Sequence, residues 1–129
     1  MSERKNISSG APWEDIAGYS RAVRVGDTVH VAGTVASGED GQVIGEDDIY
    51  AQTVYIFEKI ETALKQAGAA LTDVVRTRMF VSDIALWEGA ARAHGEIFAG
   101  IRPATTLLEV SKLIDDRYLI EIEAVAIIS

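Results

Sequence analysis

The fold of this chain is decided by the stretch Arg102-Pro-Ala-Thr-Thr-Leu-Leu-Glu-Val110. The stretch alternates as a β-strand does, with Thr105, Leu107 and Glu109 on one face and the even-numbered residues on the other. Pro103 fits the start of a strand, because no ladder N–H is needed there. A second alternating run, Leu119–Ile127, follows after a polar turn. We therefore predict that the chain ends in two strands.

The remaining elements follow from hydrophobic periodicity. Apolar residues at three- and four-residue spacing predict two amphipathic helices, over Glu46–Ala67 and Leu86–Ala99. Alternating residues predict a hairpin over 19–35, with a turn at Gly26-Asp27, and a further strand over Val74–Val81. The predicted order is thus β-β-α-β-α-β-β.

This order predicts an α+β fold in one domain of residues 1–129, with residues 1–15 loosely structured. Two helices cannot cover both faces of a mixed sheet, so both are expected on one face. The bare face should carry apolar residues among its charges, namely Phe80, Leu107, Leu119, Val125 and Ile127. Such a half-apolar face predicts an oligomer interface.

Composition excludes several classes of function. The 129 residues carry a net charge of −8, which disfavours nucleic-acid binding because phosphate contact needs clustered Lys and Arg. The absence of cysteine excludes thiol nucleophiles, disulfides and thiolate metal sites, and fits a reducing cytoplasm. With two histidines and no clustered acidic loop, no metal site is expected. No signal peptide and no apolar run of the ~20 residues needed for a membrane helix is recognised.

Six segments, taken in their order and spacing, resemble the Rid family of reactive-intermediate deaminases, also called YjgF and historically endoribonuclease L-PSP. The segments are Gly18–Val23, Val25–Thr34, Ala67–Ala69, Asp73–Asp83, Arg102–Ala104 and Ile120–Ala126. The resemblance spans about residues 15–128. It implies a chorismate-mutase-like fold and a homotrimer whose sheets form a central barrel, with three clefts between subunits. It also implies cofactor-free hydrolysis of reactive imines or enamines, such as 2-aminoacrylate, to a keto acid and ammonia.

Transfer of the family's functional residues gives a mixed pattern. Glu121 matches the glutamate that positions water, and Tyr19 matches the tyrosine that closes the cleft. Ala32 stands at a common serine position and Leu107 at a common cysteine position. Thr105 stands where the family has the arginine that pairs with the substrate carboxylate, and threonine cannot form that bidentate, charge-assisted pair. The chain therefore resembles a branch that lacks this arginine, and we expect a substrate other than 2-aminoacrylate.

The charged residues of the strands each allow two interpretations. Glu121 and Glu123 lie on one face, roughly 7 Å apart by strand geometry. Glu121 would be a general base for water in a cleft, or half of a charge pair on a sheet face. Arg76 or Arg78 would supply the positive charge that Thr105 lacks, or would form salt bridges with the acids.

The aromatic and imidazole side chains also allow two interpretations each. His94 lies on the apolar stripe of the second helix and is predicted to point at the sheet. It would be a hydrogen-bonded core residue, or a proton carrier at a cleft edge. Trp13 and Tyr19 would form an aromatic wall at the cleft mouth, or burial of Trp13 would pin the loop.

Two functions remain from the sequence. One is a cofactor-free hydrolase of a small imine, enamine or related metabolite that uses Glu121 with Tyr19 nearby. The other is a non-catalytic trimer whose clefts bind a small metabolite. Tyr19 and Glu121 favour the first function and Thr105 favours the second. Ribonuclease activity is disfavoured by the charge of −8.

Overall fold

The computed structural model describes residues 3–129, which form one six-stranded sheet with two long helices. The strands are β1 Arg4–Ile7, β2 Ala22–Val25, β3 Thr28–Thr34, β4 Val74–Val81, β5 Ala104–Glu109 and β6 Ile120–Ile127. The α-helices are α1 Pro12–Ala17, α2 Ile49–Gln66 and α3 Trp87–Phe98, and short 3-10 turns precede β4 and α3. This is the predicted α+β architecture, with a short strand and a short helix added before the predicted elements.

The sheet is mixed, in the order β1-β2-β3-β6-β4-β5. All neighbours are antiparallel except β4 and β5, which run parallel with Thr77 opposite Thr105. The last strand in the sequence therefore lies in the middle of the sheet, between β3 and β4. Residues of β6 are consequently flanked on both sides, which places Glu121 away from the sheet edges.

The helices α2 and α3 cover one face and close the core. Asp48 ends the preceding loop and accepts a hydrogen bond from Ala51 N (3.0 Å), so α2 starts at Ile49 and not at the predicted Glu46. The buried stripe of α2 packs against the alternate residues of β6. These core residues are Ile56, Phe57, Ile60, Leu64, Ile120, Ile122 and Ala124. Among residues 3–129 no helix has the length and apolar character that crossing a bilayer requires.

Residues 4–7 and 12–17 form a strand and a helix, whereas the sequence predicts loose structure over residues 1–15, of which residues 1 and 2 lie outside the described residues. β1 pairs antiparallel with β2, which satisfies backbone groups that a loose segment would leave to water. Pro12 occupies the first turn of α1, where its missing N–H has no intrahelical partner to lose. Gly18 ends α1 in the left-handed region (φ 72°). The next strand, β2, starts at Ala22.

The face of one residue in β4 differs from what strand alternation predicts. Alternation places Val75 on the face of Thr77, Met79 and Val81, but the pairing of β4 with β6 shifts between Val74 and Arg76. A β-bulge adds one residue to a strand and changes which side chains point inward. Val74 is therefore buried and Val75 is 43% exposed.

The bare face is half-apolar as predicted, but its members differ. Phe80, Val125 and Ile127 lie on it, whereas Leu107 and Leu119 pack against the core instead. The reason for Leu107 is the register of β5, which pairs it with the buried Met79. Leu108, 41% exposed, takes its place on the bare face.

Candidate functional site

Glu121 lies on the bare face of β6, with Phe80 opposite it on β4. Its carboxylate lies against Gly33 of β3, so closely that a Cβ at position 33 would overlap it. Among residues 3–129 it forms no hydrogen bond or ion pair. Burial raises the pKa of Glu121, and the charge of Glu123 adds to the rise while Arg21 opposes it. Glu121 is therefore a half-buried carboxylate with free acceptor oxygens.

Arg21 lies beside this carboxylate. Its Nη2 donates to Gly33 O at 2.5 Å, the same residue against which Glu121 lies. Its Nε is buried and has no hydrogen-bond partner in the described part of the chain. Burial lowers the pKa of Arg21, whereas Tyr19, Glu14 and Glu121 raise it, so all three groups lie within electrostatic reach. The guanidinium carbon is 5.9 Å from the centroid of the Tyr19 ring.

Glu14 fixes the loop that presents Tyr19. Its carboxylate is buried (5% exposed) and accepts hydrogen bonds from Ser8 Oγ at 2.9 Å and from Ser9. Burial raises the pKa of Glu14, but the hydrogen bonds from Ser9 and Ser8 outweigh it, so the pKa is lowered overall and the group is ionised at neutral pH. The backbone of Glu14 accepts from Tyr19 N (3.0 Å). Trp13 is 58% exposed, so burial of Glu14, and not of Trp13, holds this loop.

Thr105, Thr77 and His94 form a second polar cluster on the helix side of the sheet. Thr77 Oγ1 lies 2.8 Å from both His94 Nε2 and Thr105 Oγ1, and Thr105 Oγ1 lies 3.2 Å from His94 Nε2. The His94 ring also contacts the rings of Phe57 and Phe98. Burial lowers the pKa of His94, so the cluster is uncharged at neutral pH. His94 points at the sheet, as its position on the helix predicts.

The predicted site residues fall into separate groups within one chain. Thr105 and Leu107 project to the helix side on the edge strand β5, whereas Glu121 lies on the opposite face in the middle of the sheet. A single chain therefore does not bring Thr105 to Glu121.

Arg76 and Arg78 lie on the bare face, opposite in direction to Thr105. Arg78 Nε is 3.7 Å from Glu123 Oε1, and this ion pair borders a shallow depression of about 260 Å³. Ala32 also lines the depression. Arg78 is thus already paired with a carboxylate within the chain.

Sequence reasoning missed Arg21, Glu14 and Lys59. Lys59 Nζ donates to Val35 O and Ser37 O, both at 3.0 Å, and burial together with the charge of Arg21 lowers its pKa to about 8. Arg21 precedes β2, so alternation does not place its side chain. Its only sequence signal is its position two residues after Tyr19. No group of three or more His, Asp or Glu side chains within residues 3–129 is arranged to hold a metal ion.

The fold and this site define a class of protein: a small α+β protein with a half-buried glutamate on a bare sheet face. The sequence profile of the family described as Endoribonuclease L-PSP matches residues 10–128. The chain therefore belongs to the endoribonuclease L-PSP family, the Rid/YjgF family that its motifs resemble.

Relatives and solved structures agree with this assignment. A solved structure of Rv2704 from Mycobacterium tuberculosis, a member of the YjgF/YER057c/UK114 family, is 48% identical, with a TM-score of 0.89 over 98% of this chain and 100% of that one. An uncharacterised protein of Streptomyces coelicolor is 40% identical, over 95% of this chain and 90% of the relative. The 3-aminoacrylate deaminase RutC of Acinetobacter baylyi is 32% identical, over 93% of this chain and 94% of the relative.

Proposed function

We propose that this protein is a cofactor-free hydrolase that deaminates a small imine or enamine in clefts between the subunits of a homotrimer. The observation that carries the proposal is Glu121, a half-buried carboxylate with a raised pKa and no partner among residues 3–129. Carboxylates whose pKa is shifted in this way concentrate at functional sites, and a raised pKa suits a general base. The relationship to a protein named 3-aminoacrylate deaminase supports this class of reaction.

The chemistry requires one water and one base. An enamine first becomes the imine, by loss of a proton from nitrogen and gain of one at the β-carbon. Glu121 then takes a proton from water as the oxygen attacks the carbon of the C=N bond, which gives a carbinolamine. Return of protons to nitrogen releases ammonia and leaves a carbonyl group. Tyr19, exposed beside Arg21, would line the mouth of the site. The exposed Trp13, and Ala32 in the depression next to Glu123, are the further candidates for its wall.

The substrate is expected to differ from 2-aminoacrylate. Thr105 occupies the position of the family arginine, and in this chain it is hydrogen-bonded to Thr77 and close to His94. In the trimer a neighbouring subunit would present Thr105, Leu107 and His94 to the cleft. This uncharged group would favour substrates that carry no charge at the end of the cleft opposite Glu121.

Ammonia release from a panel of enzymatically generated imines and enamines, including 2-aminoacrylate, tests the proposal. We expect Glu121→Gln to lower kcat/KM by about 10²–10⁴-fold, the usual contribution of a general base. Glu123→Gln is the matched control, since it removes the same charge from the same face, and it should keep turnover. Equal turnover by Glu121→Gln and the parent chain would overturn the proposal.

The second candidate is a non-catalytic trimer that binds a small metabolite. It is favoured by the engagement of Thr105 in an uncharged cluster, because the usual charged contact to substrate is missing. Thr105→Arg separates the candidates: a hydrolase should gain activity on 2-aminoacrylate, whereas a binding protein should stay inactive on the whole panel. A cytoplasmic location without nucleic-acid or membrane partners is part of both proposals.

A further inference from the structure

The Glu121 site contains a cation that forms no ion pair within residues 3–129. Arg21 is half-buried, yet no carboxylate in the described residues lies within 4.0 Å of it, and its buried Nε has no hydrogen-bond partner. Removing a guanidinium from water without a partner costs stability. Uncompensated polar groups of this kind are commonly retained where they meet a ligand.

Two other cations of this region, Arg78 and Lys59, are already engaged within the chain. Arg78 forms an ion pair with Glu123 at 3.7 Å. Lys59 donates to two backbone carbonyls, which fixes its ammonium group in the loop after β3. The Arg21 guanidinium donates one hydrogen bond, to Gly33 O. Its other N–H groups have no hydrogen-bond acceptor within residues 3–129.

Arg21 and Glu121 also converge on the same residue. Gly33 accepts the hydrogen bond from Arg21 through its carbonyl, and its Cα lies under the Glu121 carboxylate. The two charges are close enough to influence each other but do not form an ion pair. A ligand above Gly33 would therefore have a base on one side and a positive charge on the other.

We propose that Arg21 binds the anionic group of the ligand, a carboxylate, in the site of Glu121. This inference rests on the proposed function and names the residue that sets its specificity. The charge missing at Thr105 is then provided from the segment before β2, on the strand side of the cleft that also carries the base. Because a carboxylate held there lies elsewhere than one held at position 105, the substrate is expected to be a carboxylate that differs from 2-aminoacrylate in the position of this group. Arginine suits this role because its planar donors match a carboxylate.

Binding of pyruvate to the full chain tests the proposal without any need for turnover. Pyruvate and its neutral counterpart pyruvamide are titrated by calorimetry into the parent chain and into Arg21→Gln, Arg21→Lys and Arg92→Gln. Arg92→Gln is the matched control, because Arg92 is an exposed residue of α3 that lies over the Tyr50 ring. Folding of each variant is checked by circular dichroism.

We expect Arg21→Gln to weaken pyruvate binding at least about tenfold, a cost typical of losing a charge-assisted contact. Arg21→Lys should retain part of the affinity, Arg92→Gln all of it, and pyruvamide should bind weakly whatever stands at position 21. Unchanged pyruvate affinity in Arg21→Gln, equal losses for pyruvate and pyruvamide, or no saturable pyruvate binding by the parent chain would each overturn the proposal.

The same measurement separates this proposal from the proposed function. Glu121→Gln should still bind pyruvate, since it removes the base and a like charge but leaves Arg21 in place. Pyruvate binding that depends on Arg21, together with turnover that does not depend on Glu121, would leave the anion site standing and overturn the hydrolase. Turnover that depends on Glu121, with pyruvate binding indifferent to Arg21, would do the opposite.

Discussion

At the scale of single residues, the environment of Glu121 fixes the pH dependence of activity. A general base works in its ionised form, and burial and Glu123 raise the pKa of Glu121 above its ordinary value of 4.5. We therefore expect kcat/KM to fall as the pH drops, with the midpoint above 4.5. A pH–rate profile measures this midpoint.

Glu123→Gln supplies the internal check on that profile. Removing the charge of Glu123 removes one cause of the rise, so the midpoint should move to lower pH. An unchanged midpoint would show that protonation of Glu121 does not cause the fall of kcat/KM at low pH. Stability has the opposite pH dependence: because the folded pKa of Glu121 is raised, its contribution to stability is most favourable at low pH and is lost as the pH rises through its folded pKa.

Residue types in the sequence indicate candidates for the site, but not how their side chains are engaged. The position of His94 on an apolar helical stripe correctly predicts that it points at the sheet, because helical periodicity fixes direction. Arg21 escapes prediction since it lies between a left-handed glycine and the first residue of β2, where neither strand nor helix periodicity applies. The pairing of Arg78 with Glu123 was one of two interpretations, and only the sheet register distinguishes them.

At the scale of elements, α3 contains a position where its stability can be raised. Gly95 is exposed in the middle of the helix, and a Cβ there would have no heavy atom within 4 Å. Gly95→Ala should stabilise the protein by about 0.5–1 kcal/mol, because alanine loses less backbone entropy than glycine in a helix. Denaturant unfolding at equal protomer concentration measures the change.

Gly89 is the contrasting position in the same helix. A Cβ there would lie 2.7 Å from Ile49 Cγ2, so Gly89→Ala forces a side chain at the α2–α3 contact to move. Gly89→Ala should therefore raise the free energy of unfolding less than Gly95→Ala does, or lower it. Equal gains at both positions would contradict the explanation from helix propensity and packing.

Elements follow from the sequence where one periodicity holds over many residues. β4 has its predicted bounds, and α2 and α3 differ from theirs by one to three residues at each end. Helix ends are set by local capping interactions, such as that of Asp48 at the start of α2, and not by periodicity. The bulge at Val75 leaves no trace in the alternation, because an extra residue in one strand is set by its pairing partner. β1 is also invisible to pattern reasoning: it is four residues long and mostly exposed, and it exists because β2 offers it an edge.

At the scale of the whole molecule, the half-apolar bare face should form the subunit contacts of the proposed trimer. Val125 is half-buried on this face, so Val125→Asp would place a carboxylate in the proposed subunit contact. Light scattering should then give the mass of one 13.9 kDa protomer, where the parent chain gives about three times that mass. Deaminase activity should disappear with the trimer, because one chain does not bring Thr105 to Glu121.

Ile114→Asp is the control for this experiment. Ile114 is 73% exposed in the turn before β6, so a charge there should leave the mass unchanged. A parent chain that has the mass of one protomer would contradict the trimer and every cleft built on it.

The N-terminal strand has a consequence for recombining this protein with its relatives. Ile7 O accepts the hydrogen bond from Arg21 N (2.8 Å), and Ser8 and Ser9 hold the carboxylate of Glu14, whose carbonyl holds Tyr19. The family profile begins at residue 10, so it leaves out Ile7, Ser8 and Ser9, which make these contacts. Exchanging only the first nine residues between relatives would therefore alter the support of Arg21 and Tyr19 without changing either. Chimeras joined after Ala22 would keep that support intact, and joins near residue 10 offer a way to vary ligand preference from outside the site.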